Sequence, residues 1–107
     1  MLSAEAIDAA AVRVAVAASS PSRVVLFGSC ARGTADEGSD LDLLVIEKEV
    51  PNRAEEYLHL RQAVGSVGTC VDVLGYSAQE AARRAEVPGT RLYWALKEGR
   101  VLHDTLA

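Results

Sequence analysis

Cysteine is scarce in this 107-residue chain. Cys30 and Cys70 are the only two, they lack metal-ligand spacing, and no secretory signal stands ahead of them. Reduced thiols in a cytosolic protein are therefore the expectation. Histidine is equally sparse: His59 and His103 each stand without a second histidine at ligating distance, so neither is expected to hold a metal. Basic charge is also lacking, with 11 Lys and Arg against 15 Asp and Glu and a net charge of -4. This argues against the broad basic surface that binds nucleic acid by neutralising phosphates, so a nucleic-acid partner is disfavoured. No apolar run spans a bilayer, because the Ala- and Val-rich residues 9–18 are interrupted by Arg13, and no membrane partner is expected. No Gly-Lys-Ser/Thr string is present, which excludes a Walker A loop. Repeats, low-complexity tracts and linkers are absent too, so residues 1–107 read as one domain.

Apolar residues make up 50% of the chain, enough for one core. Residues 3–18 are strong helix formers, with Ile7, Ala10, Ala11, Val14 and Ala18 at three- and four-residue steps, which predicts an amphipathic helix. Pro21 stops it, and residues 23–27 form a short apolar run closed by Gly28, a buried strand. Residues 28–39 hold three glycines and small polar side chains, consistent with a helical turn and an open loop. A second strand is predicted over residues 41–46. Asn52 and Glu55 then form a capping box for a long helix in which Tyr57, Leu58, Arg61 and Val64 continue the spacing toward Gly65. A third strand covers residues 69–76, Ser77 and Glu80 repeat the capping signal for a short helix, and Pro88-Gly89 breaks it. Residues 90–98 space Leu92, Ala95 and Leu96 helically before Gly99, and residues 101–103 make a small final strand or extended end. This order predicts an α/β fold, a small mixed sheet with helices packed mainly on one face.

The chemistry lies in where the acids fall. A carboxylate within an apolar strand must be paired, hydrated or bound to metal. Asp42 sits in Leu41-Asp42-Leu43-Leu44-Val45, and Asp40 shares its face by the two-residue period of a strand. Asp72 sits likewise in Val71-Asp72-Val73-Leu74. Three acids brought together repel one another, and Mg²⁺ or Mn²⁺, which take a few carboxylates plus substrate phosphates, relieve that repulsion. An EF-hand is excluded because Leu41, Leu43 and Leu44 stand where that loop needs oxygen ligands and a glycine. Just before, Phe27-Gly28-Ser29 closes a strand where glycine lets the backbone approach a ligand and exposed N–H groups attract phosphate.

The string Gly28-Ser29-Cys30-Ala31-Arg32-Gly33, the later Ser39-Asp40-Leu41-Asp42-Leu43-Leu44-Val45 and then Val71-Asp72-Val73 resemble the signature of the DNA polymerase-β-like nucleotidyltransferase superfamily. They are most similar to its minimal nucleotidyltransferase branch, many members of which are antitoxins paired with a HEPN-domain toxin. The resemblance implies that Asp40 and Asp42 hold both of two Mg²⁺ ions and that Asp72 completes the site activating the attacking hydroxyl. It also implies that Ser29 and the backbone around Gly28 contact the triphosphate, with Gly33 and Ser39 part of the same phosphate-binding string. The activity it implies is transfer of AMP from ATP, or of another nucleoside monophosphate, to an acceptor. Nothing in so short a chain is left over to bind RNA, DNA or an antibiotic, so a protein hydroxyl is the favoured acceptor, with a HEPN toxin as partner in a hetero-oligomer; a homo-oligomer is also open.

Each residue has a plainer reading. Asp40 and Asp42 could cap a turn at the start of an edge strand, and Asp72 could be a strand-end acid paired with an arginine. Gly28, Gly33 and Ser39 could be ordinary turn and cap residues. Arg32 could neutralise phosphate, dock a partner, or pair with Asp36 or Glu37. Cys30 reads as a small filler, and Tyr93-Trp94 as core or partner surface. Two other functions remain open: a non-catalytic module that neutralises a partner by docking, and a small-molecule transferase whose pocket a second subunit completes.

Overall fold

A computed structural model describes residues 3–28, 40–65 and 71–106. The helices among the described residues all begin in the same way. A side-chain oxygen accepts a hydrogen bond from the backbone N–H three residues on: Ser3 from Ala6, Asn52 from Glu55, Ser77 from Glu80 and Thr90 from Tyr93, each at 3.1 Å. These caps satisfy donors that a helix start leaves without intrahelical partners. They open α1 (Ala4–Ala17), α2 (Arg53–Val64), α3 (Ala78–Arg84) and α4 (Arg91–Glu98). The two capping signals predicted from Asn52 and Ser77 are thus both used.

The strands are β1 (Ser22–Phe27), β2 (Leu41–Glu47), β3 (Val71–Ser77) and β4 (Arg100–Asp104), in the sheet order β3-β2-β1-β4. β1 runs antiparallel to both β2 and β4, whereas β2 and β3 are parallel. The parallel pair needs a crossover, and α2 provides it. The final residues are therefore a true strand on the sheet edge. The third strand extends one residue past the predicted end, because Ser77 serves both as its last residue and as the cap of α3.

Alternation along the strands builds two cores. Val24, Leu26, Leu41, Leu43, Val45, Val71 and Val73 meet Ile7, Ala10, Ala11 and Val14 of α1 and Leu60 and Val64 of α2. On the opposite face Val25, Phe27, Leu44 and Ile46 meet Ala81 of α3 and Leu92 and Ala95 of α4. The sheet is mixed and its two long helices share one face, as the sequence predicts; the two short helices cover part of the other. The spacing along α2 reads differently in the structure. Tyr57 and Leu58 are exposed, and the buried line is Glu56, Leu60 and Val64. An acid takes a core position there, which apolar periodicity cannot register.

Gly99 follows α4 in an extended conformation, so a left-handed cap is not its role. A Cβ there would collide with the Ala95 carbonyl and the Val25 side chain. Absence of a side chain is what lets the chain turn from α4 into β4 directly over β1.

Candidate active site

Topology gathers the site. Because β2 and β3 are parallel, their N-terminal ends coincide, and because β1 is antiparallel to β2, its C-terminal end joins them. The register pairs Phe27 with Asp42 and Asp42 with Asp72, so Gly28, Asp42 and Asp72 meet at one end of the sheet. Paired residues on adjacent strands point to the same face. For Asp42 and Asp72 it is the face shared with Leu44 and covered by α4. Asp40 precedes β2 and is exposed. The acids thus stand at strand starts, not in mid-strand; Asp42 and Asp72 are each the second residue of their strand. Water reaches them there, with side-chain exposures of 19% and 39%, which lowers the cost of charge compared with a strand interior.

Gly28 is built into the acid pair. Its φ of 75° lies in the left-handed region that favours glycine. A Cβ at this position would overlap the Asp42 carboxylate. The carboxylate therefore lies directly against the Gly28 backbone, and both the turn and the acid require that this residue have no side chain.

Arg91, the first residue of α4, is a part of the site that the sequence reading did not single out. Its guanidinium Nη2 donates a hydrogen bond to Asp72 Oδ2 and lies 3.9 Å from Asp42 Oδ1. It also stands over the Phe27 ring, 5.7 Å from its centroid. The hydrogen bond to Asp72 pushes the Arg91 pKa above its ordinary value, against partial burial that pulls it down. The only sequence clue was the plainer reading of Asp72 as a strand-end acid paired with an arginine. That pairing exists, and it extends to Asp42. Beside it, Phe27, Gly28, Asp42, Arg91, Trp94 and Glu98 line an open cavity of ≈ 450 Å³, within the size range of small-molecule sites. Trp94 is exposed on this wall while its neighbour Tyr93, edge-on to it, is half-buried.

Among the described residues, no group of three or more acid, histidine or cysteine side chains converges as a metal site. The donor chemistry of Asp42 and Asp72 nevertheless fits a hard divalent cation: both offer only oxygen, and together they already hold one cation, the Arg91 guanidinium. Ser29, Arg32, Gly33 and Ser39, the remaining predicted phosphate-binding residues, lie outside the described residues, as do Cys30, Asp36 and Glu37.

A strand closing on a left-handed glycine thus stands beside a parallel strand pair with facing acids. The chain belongs to the nucleotidyltransferase domain family, whose profile matches residues 12–98, within the DNA polymerase-β-like superfamily. Two Methanocaldococcus jannaschii proteins sharing the name "Putative protein adenylyltransferase" are similar over short stretches. One is 56% identical over 34 residues, covering 32% of this chain and 34% of the relative; the other is 67% identical over 30 residues, covering 28% and 20%. The matched stretches thus span about a third and a fifth of those curated relatives. The fold is shared with a crystal structure described as a "putative nucleotidyltransferase" from Sulfolobus solfataricus, at TM-score 0.65 and 19% identity over 94% of this chain and 79% of that one. It is also shared with a chain of a toxin-antitoxin crystal structure containing AMP-PNP, at TM-score 0.65 and 15% identity, covering 92% and 74%.

Proposed function

We propose that this chain is a metal-dependent nucleotidyltransferase that moves AMP from ATP onto a protein hydroxyl, as the antitoxin of a toxin-antitoxin pair. The observation that carries the reading is the register pairing of Asp42 with Asp72, with Asp42 set against the Gly28 backbone at the edge of a cavity of ≈ 450 Å³. The names of the Methanocaldococcus relatives support adenylyl transfer to protein, and the AMP-PNP-containing toxin-antitoxin structure supports the partnership. A HEPN-type toxin as the acceptor follows from the resemblance in residues 28–45 and 71–73.

In this proposal Asp40, Asp42 and Asp72 hold Mg²⁺ or Mn²⁺. Bound there, the metal would neutralise triphosphate oxygens and favour a deprotonated nucleophile. The chain's own residues do the rest. The Gly28 turn and Ser29 bring backbone and hydroxyl donors to the phosphates, with Arg32, Gly33 and Ser39 in the same string. Asp72 orients the acceptor hydroxyl and takes its proton. The acceptor oxygen forms a bond to the α-phosphorus as the bond to the bridging α–β oxygen breaks, and pyrophosphate leaves with that electron pair.

The test is incubation with labelled ATP, Mg²⁺ and the product of the neighbouring gene. Label is expected on that product, and Asp42→Asn is expected to reduce it by about a hundredfold or more, since the charge holding the phosphoryl-transfer site is removed. If Asp42→Asn still neutralises the partner while labelling is lost, the acids serve nucleotide chemistry and neutralisation proceeds by docking.

A further inference from the structure

Arg91 has the geometry of a displaceable counter-ion. A single guanidinium nitrogen serves both acids, hydrogen-bonded to Asp72 and 3.9 Å from Asp42, so it stands between the two groups that a cation would have to bridge. It is held loosely. The Arg91 side chain is 56% exposed, and exposed ion pairs contribute little net stability because water competes for both partners. Its backbone anchor is firm: Arg91 is the first residue of α4, directly after the Thr90 cap, and the next residue, Leu92, is buried in the core. The guanidinium can therefore leave the acids without moving the helix, and the cavity it borders gives it somewhere to go.

We propose that Arg91 is a latch on the acid pair, excluding divalent cations until a nucleoside triphosphate supplies its guanidinium with replacement anions. This rests on the reading of Asp42 and Asp72 as metal-binding residues. The guanidinium occupies Asp42 and Asp72 oxygens that a metal would need as ligands, so metal and guanidinium compete for them. A triphosphate resolves the competition, because arginine binds phosphate oxygens with the same planar donor fork it offers carboxylates. Metal and nucleotide then bind with positive coupling, and metal alone binds weakly.

The experiment measures Mn²⁺ binding directly, by the electron paramagnetic resonance of the free ion, with and without a non-hydrolysable ATP analogue. The wild-type protein is expected to bind Mn²⁺ more tightly when the analogue is present. Arg91→Ala is expected to bind Mn²⁺ alone about tenfold more tightly than wild type and to lose most of the enhancement by analogue, a shift within the usual range of coupling between two ligands. Arg91→Gln keeps a polar side chain without the charge and should behave like Arg91→Ala, while Arg91→Lys, still cationic but without the planar fork, should keep Mn²⁺ alone weak and show a smaller enhancement by the analogue. Circular dichroism selects the variants that remain folded. Equal or weaker Mn²⁺ binding by folded Arg91→Ala and Arg91→Gln overturns the latch. The transferase reading fails separately: Mn²⁺ binding that rises in these variants and vanishes in Asp42→Asn upholds the latch even if no acceptor is ever labelled, whereas labelling with unchanged Mn²⁺ affinity removes the latch alone.

Discussion

β2 carries an acid pair at each end, and the two pairs are stabilised in opposite ways. At its start Asp42 faces Asp72, partly open to water, with the Arg91 cation between them. At its finish Glu47, 1% exposed, meets Glu56 of α2, 8% exposed, on the opposite face of the sheet. Here the Ser19 N–H donates to Glu47 at 3.0 Å and to Glu56 at 3.2 Å, and the Ser19 hydroxyl donates to Glu56 at 3.0 Å. Burial, then the hydrogen bond and charge of Glu56, push the Glu47 pKa up to about 7. Burial also acts to raise Glu56, but the hydrogen bonds from Glu47 and Ser19 and the charge of His59 outweigh it and hold Glu56 low. Burial thus favours a protonated Glu47 beside a charged Glu56, whereas the open pair is neutralised by a cation.

That difference separates a structural cluster from a chemical one. The Ser19 hydrogen bonds tie the turn after α1 to Glu47 at the end of β2 and Glu56 in the first turn of α2, and burial closes both carboxyls to solvent. A cation at a water-accessible pair can be exchanged for another cation. Two clusters of equal acid count therefore have different uses, decided by burial and by what neutralises them.

The largest expected effect comes from disturbing the open end. Gly28→Ala sets a methyl group onto the Asp42 carboxylate and forces a side chain into a left-handed backbone. The strained conformation costs about 1–2 kcal/mol, which lowers Tm by roughly 5–10 °C for a domain of this size. Transfer is expected to fall much further, by about a hundredfold or more, because the acid is displaced from its partners. A folded Gly28→Ala protein that labels its acceptor at the wild-type rate would separate Gly28 from the site.

How much of this was legible beforehand follows the range of each interaction. Caps at Asn52 and Ser77 are three-residue events, and the strand alternation that puts Asp42 on the face of Leu44 spans two residues, so both can be read along the chain. The facing of Asp42 and Asp72 required the further guess that their strands are neighbours. Arg91 lies 19 residues from Asp72 on a separate helix, and no local pattern points from one to the other. Glu56 was hidden for another reason: its partners Ser19 and Glu47 come from two other segments, and a glutamate on a polar helix reads as solvent-facing until they are assembled around it.

A smaller effect is expected at the buried end, and on stability alone. Glu56→Ala removes the acceptor of the Ser19 hydroxyl and the partner of a buried acid, and should cost about 1–3 kcal/mol in urea unfolding, the range for stranded buried polar groups. Glu47→Gln keeps the volume and gives Glu56 an amide donor in place of the Glu47 proton, so its cost should stay within about 1 kcal/mol. Transfer activity is expected to survive in both. If either variant loses transfer while remaining folded, the two ends of β2 are not independent.

The smallest effect is a slope. Unfolded, Glu47 gives up its proton near the ordinary value of 4.5; folded, it keeps it until about pH 7. Between those values the native state binds more protons than the unfolded one, so stability from this group falls as pH rises. It is fully present below about 4.5 and gone once pH has passed through about 7. Glu56 has the opposite sign: held below 4.5, it contributes above that value and loses its contribution as pH falls through its own lowered pKa. The pair is therefore most favourable near the ordinary carboxyl value, where one proton is bound and one acid is charged. Thermal melts from pH 5 to pH 8 should show Tm declining in the wild type more steeply than in Glu47→Gln, which has no proton to lose. Parallel slopes in the two proteins would mean that Glu47 is already ionised in the folded state at pH 5, and the hydrogen bond between the carboxyls would then have to be replaced by two charges held apart by Ser19.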